Sequence, residues 1–146
     1  MFSKEESQQL KKEFWTDFAK AYPIKWLLYN TKIKDVSFKF DVDNKKAQVI
    51  YEVACKDDYL RTVYFQKFES LKDILLTNFV DDAIFDQNFY IENKIVCRVY
   101  CQLEGVSLHN KKTWSTIFDF FNEKMMAFQL FFYEFEDYIK DTEVNT

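Results

Sequence analysis

Apolar residues recur along this chain at two different periods, and each change of period marks a new element. Ser3 followed three positions later by Glu6 is a capping box, and Leu10, Phe14, Phe18 and Tyr22 then repeat at helical spacing until Pro23. The spacing predicts a helix from about Lys4 to Tyr22. Beyond the connecting stretch "PIKWLLYNTKIK", Val36, Phe38, Phe40 and Val42 alternate with Ser37, Lys39 and Asp41. Ala47, Val49, Tyr51, Val53 and Cys55 alternate in the same way, so two half-buried strands meet at the short turn "DNKK". From Asp57 to Phe79 the period is helical again, with Leu60, Tyr64, Phe68, Leu71 and Leu75 on one stripe. A second alternating pair follows: Phe85, Gln87, Phe89 and Ile91, then Ile95, Cys97, Val99, Cys101 and Leu103, with the turn at "ENK". Asn110 is the expected N-cap of a last long helix, in which Trp114, Ile117, Phe118, Phe121, Met125, Phe128, Phe132, Phe135 and Ile139 fall three or four apart.

The order α-β-β-α-β-β-α predicts an α+β fold: a four-stranded antiparallel sheet built from two hairpins, with helices mainly on one face. Phe38, Phe40, Val49, Tyr51, Cys97 and Val99 are expected on the covered side, because a period of two sends alternate residues to the same face. "DNKKAQVIY" and "ENKIVCRVY" each open an outgoing strand with an acidic residue, Asn and Lys. This is either a trace of internal duplication or the ordinary chemistry of turns.

Composition narrows the picture. A chain of 146 residues, 48% hydrophobic, is expected to form one domain over its whole length, with an acidic tail from about residue 141. One Gly and one Pro leave little loop punctuation, and 17 Phe, 9 Tyr and 3 Trp spread along the chain predict a large aromatic core. "MFSKEESQQLKKEFW" has no apolar run after its basic residues, so it does not read as a secretory signal, and a cytoplasmic protein is expected. Cys97 and Cys101 on one strand would sit roughly 13 Å apart, too far to bridge. With Cys55 they read as reduced, buried thiols.

The net charge of −4 is unevenly spread. Residues 1–46 carry ten Lys against seven acids, whereas residues 113–146 carry two basic residues against seven acids. Such polarity suits an anionic partner near the first third, head-to-tail self-association, or a plain solvated surface. Lys25, Trp26, Tyr29, Lys32 and Lys34 cluster after the first helix, and Lys39 faces outward on the first strand. Together they form a candidate anion or nucleic-acid surface in which phosphate contacts combine with base stacking. The overall acidity argues against it.

Catalytic signatures are weak. His109 is the single histidine, no C-x-x-C or H-x-x-x-H pair exists, and neither a metal site nor any cofactor is expected. Ser107 beside His109 lacks a nucleophile elbow, and the lone Gly105 excludes the Gly-rich phosphate loops. Asp81, Asp82 or Asp86 followed by Glu92-Asn93-Lys94 resembles a metal-nuclease pattern, but at a hairpin tip these groups are expected to point to solvent.

The segment "FFNEKMMAFQLFFYEFEDY" is the densest in aromatic and methionine side chains. Its longest uncharged run, Met125 to Tyr133, would rise only about 12 to 14 Å as a helix, too short for a membrane span. Phe121, Met125, Phe128, Phe132 and Phe135 already supply the stripe a sheet-packing helix needs. Phe120, Met126, Phe131 and Tyr138 lie beside it and are the candidate anchors of a symmetric homodimer.

At "EFWTDF", "KWLLYNTKIK", "DNKKAQV", "FESLKDILL" and "TWSTIFDFFNEKM...FQLFFYEFEDYI" the chain resembles the bacterial domain of unknown function 4268 family, from about residue 3 to 140. The resemblance rests on ordered blocks and carries no catalytic residue over to this chain. Longer members resemble fusions in which a restriction-endonuclease-like domain precedes this module, which would imply an accessory role near nucleic acid or in defence against foreign DNA. Nuclease chemistry itself is not expected here. The residues read best as a non-catalytic binding or self-association module with an unidentified protein partner, the alternative being a nucleic-acid-binding accessory protein.

Overall fold

In the computed structural model, which describes residues 2–141, the chain follows the expected order with two helices divided. Helix α1 spans Lys4–Ala21, and its capping box is complete: Ser3 Oγ accepts the Glu6 N–H and the Glu6 carboxylate accepts the Ser3 N–H. Strands β1 (Val36–Val42) and β2 (Lys46–Val53) form the first hairpin, β3 (Ile84–Ile91) and β4 (Lys94–Glu104) the second. The strands lie in the order β1-β2-β4-β3, all antiparallel, so the outgoing strands of the two hairpins are central neighbours. The turns themselves differ. Asp43 Oδ1 holds the first by accepting the Lys45 and Lys46 N–H groups, whereas Glu92 and Asn93 make the second with φ of 48° and 65°.

All of the six residues expected on the covered face lie there; Phe38, Val49, Tyr51, Cys97 and Val99 are buried and Phe40 is half-buried. Helices α1, α2 (Asp58–Ser70) and α4 (Trp114–Glu134) cover that face in one continuous core. Phe14 meets Trp114, Phe118 and Phe121 edge to face, and Tyr51 stacks on Phe68 with centroids 4.0 Å apart.

Among the described residues no helix covers the opposite face, which is closed by its own side chains. Glu52 accepts from Lys39 at 2.6 Å and from Arg98 Nε at 3.1 Å, while the Arg98 guanidinium lies 3.9 Å over the Phe89 ring. Gln48 donates to Gln102 at 2.7 Å farther along the same face, and Ile50, opposite Tyr100 on the rung between the two polar pairs, is buried.

Two expected helices are broken. The helix expected from Asp57 to Phe79 ends at Ser70 and restarts as α3 (Lys72–Asn78). The Ser70 hydroxyl donates back to the Lys67 carbonyl, and the Leu71 N–H tightens onto Phe68 O, so the α-helical ladder is interrupted there. Phe65 and Phe68, not Leu60, carry its buried face; Leu60 is exposed. The last helix begins with a 3-10 turn at Lys111–Thr113, capped by Asn110 as expected, and stops at Glu134. The short α5 (Glu136–Lys140) then folds against α2, burying Ile139.

Candidate interaction surface

The connector between α1 and β1 is held in place by buried polar groups. Gln129, in the otherwise apolar run of α4, accepts the Leu27 N–H at 2.6 Å, and Thr31 Oγ1 donates to Val36 O at 2.7 Å. Phe38 N–H returns to Leu28 O, tying the connector to the outer edge of β1. Leu28, Lys32 and Asp35 take left-handed φ values of 44°, 66° and 63°, conformations uncommon for residues with side chains and sustained here by these bonds.

This anchoring sets a mixed surface. Lys25, Trp26, Tyr29, Asn30 and Lys32 line a shallow hollow of about 560 Å³ whose far wall is Tyr133 of α4. Tyr29 is 72% exposed and Tyr133 53%. One and two turns before Tyr133 on the same face of α4 stand Leu130, 58% exposed, and Met126, 39% exposed. The outer face of the helix is therefore an apolar stripe that runs into the basic hollow.

The residues expected at these sites are not all equally open or gathered at one place. Trp26 is half-buried, stacked on Phe18 and edge-on to Phe40, which makes it a plug over the core. Lys34 lines a separate hollow with Asp35, Asp57 and Tyr64. Lys39 faces outward as expected, but on the far side of the sheet and paired with Glu52. Of the basic cluster, Lys25, Trp26, Tyr29 and Lys32 are brought together at one hollow, Trp26 as its half-buried wall.

The dimer anchors need a similar correction. Met126 is exposed, but Phe131 is fully buried, its ring 5.0 to 5.3 Å from those of Phe68, Phe79 and Phe135. Helices α2 and α3 lie beside α4 and widen its buried arc on that flank, so Phe131 is core. Tyr138 is occupied by α2: its hydroxyl bonds Ser70 at 2.8 Å and its ring and carbonyl meet Lys67 Nζ. Phe120 is half-buried at the rim of the core. Leu130 and Tyr133 were not distinguished by spacing, because the width of the buried arc depends on helices distant in sequence.

The nuclease-like set does not converge. Asp82 pairs with Lys124 at 3.0 Å, Asp86 sits opposite Arg98, and Glu92 and Asn93 form the hairpin tip. No cluster of metal-ligating residues occurs among the described residues. Ser107 Oγ accepts the backbone N–H of His109, while the His109 ring meets Ser7 instead. The three cysteines are free and buried; burial pushes the Cys97 thiol up to about 11 and that of Cys101 higher still, which suits core packing rather than nucleophilic chemistry. No helix among the described residues is long and apolar enough to cross a membrane.

The family model of a domain of unknown function (DUF4268) matches residues 10–136. The chain belongs to that family. No curated protein and no solved structure matches it.

Proposed function

We propose that this DUF4268 domain is a non-catalytic binding module of the cytoplasm that self-associates through the outer face of α4. The observation that carries the reading is the stripe of Met126, Leu130 and Tyr133, exposed on a helix whose other sides are packed. Each large apolar side chain left in water forgoes roughly 1.5 to 3 kcal/mol of burial, so a contiguous set favours association. A two-fold axis beside Leu130 sets stripe against stripe. Light scattering across a dilution series tests this: a mass of two chains at tens of micromolar that falls on dilution is expected, and a constant monomer mass would contradict it.

A second reading rests on Lys25 and Lys32 flanking the exposed Tyr29 ring, an arrangement that suits a phosphate backbone with one stacked base. It would make the domain an accessory module near nucleic acid. Retention of single-stranded DNA at low salt, lost as salt rises and lost in Lys25→Glu/Lys32→Glu, is its signature; no retention at low salt excludes it.

A further inference from the structure

At the other end of the molecule, a hollow of about 520 Å³ opens between the first turns of α1, the β1–β2 turn and the loop preceding α4. Ser7, Lys11, Asn44, Lys45 and His109 line it, and its floor is the buried pair Val42 and Leu108. The fold brings the single histidine of the chain to a serine 102 residues away, with Ser7 Oγ 3.2 Å from His109 Nε2. Lys11 follows Ser7 by four residues and so shares its helix face, while Lys45 approaches from the hairpin turn opposite.

Among the described residues neither Lys11 nor Lys45 has a carboxylate within ion-pair distance, as holds for most lysines of the chain, so both ammonium groups are open to an anion. The acid at the site, Asp43, has Oδ1 turned to the Lys45 and Lys46 N–H groups at 2.8 and 2.9 Å. Burial pushes its carboxyl upward, but those two bonds and the neighbouring lysine charges outweigh this and hold it below the usual carboxylate range. Two ammonium groups, a carboxylate turned to the backbone of the hairpin, a hydroxyl, an imidazole and a side-chain amide thus surround an apolar floor.

We propose that this hollow binds a phosphate monoester. The phosphoryl oxygens sit between Lys11 and Lys45. His109 Nε2–H donates to Ser7 Oγ, leaving the Ser7 hydroxyl proton free for a phosphoryl oxygen, and the organic group rests on Val42 and Leu108. The site is separate from the α4 face, and its occupancy does not depend on self-association.

Chemical-shift titration of the ¹⁵N-labelled protein with phenyl phosphate and, separately, with inorganic phosphate tests the assignment. Saturable shifts at Ser7, Asn44, Lys45 and His109 are expected, with phenyl phosphate binding at least about tenfold more tightly because its ring covers the floor. Lys11→Glu/Lys45→Glu should abolish them, with an unchanged far-ultraviolet dichroism spectrum, while the charge-matched Lys20→Glu/Lys56→Glu, at exposed lysines outside the hollow, retains them. Equal affinity for the two compounds would overturn the monoester assignment. Absence of saturation, or binding undiminished in Lys11→Glu/Lys45→Glu, would overturn the site.

Discussion

Four successive residues of α4 meet four different surroundings. Phe128 packs fully buried against the sheet, its ring 6.1 Å from that of Phe38, and Phe131 is wedged against α2 and α3. Between them, Gln129 faces the α1–β1 connector and accepts its Leu27 N–H, and Leu130 stands more than half in water. All four belong to one uncharged run, so hydrophobicity alone does not separate them. What separates them is which element lies against each side of the helix: sheet, connector, solvent, or the α2–α3 pair.

That contrast can be broken first at its most buried point. Phe131→Glu would bury a carboxylate among the rings of Phe68, Phe79 and Phe135, a cost of several kcal/mol or more set against a total stability of about 5–15 kcal/mol. Loss of cooperative thermal unfolding is the expected outcome; a folded variant would show that the rings around residue 131 part easily. Phe128→Ala keeps the site apolar but leaves a cavity. A destabilisation of about 3–5 kcal/mol in urea unfolding is expected, with an unchanged dependence on denaturant concentration.

Gln129→Ala probes the connector side. The Leu27 N–H would be left buried without its acceptor, so about 1–3 kcal/mol of stability should be lost. Hydrogen exchange should accelerate at Leu27 and its neighbours while the strands stay protected. Uniform acceleration across the domain would mean that the connector and the sheet open as one unit.

How much of this was legible beforehand follows from the range of each interaction. Both hairpins, the Ser3–Glu6 cap, the Asn110 cap and the aromatic stripe facing the sheet depend on residues within a few positions of one another, and periodicity finds them. The breaks after Ser70 and at Phe135 interrupt helices whose apolar spacing continues without a change of period, so spacing passed over them. Phe131 lay beside the stripe on a helical projection and was expected outside; only the packing of α2 and α3, some sixty residues earlier in the chain, places it within. Gln129 was a visible signal, a lone amide in an apolar run, and its meaning needed the connector alongside. Ser7 and His109 were brought together by tertiary folding, and nothing in their local sequence pairs them.

Leu130 offers the most direct test of the proposed role, because it is the member of the quartet that touches least of its own chain. An exposed substitution there should change monomer stability by no more than about 0.5 kcal/mol. Sedimentation velocity of the wild type and of Leu130→Glu, at matched concentrations of tens of micromolar, compares association with folding held constant. The account predicts a dimer that dissociates on dilution for the wild type and a folded monomer for Leu130→Glu. A wild type that sediments as a monomer, or a Leu130→Glu dimer as stable as the wild type, would contradict it.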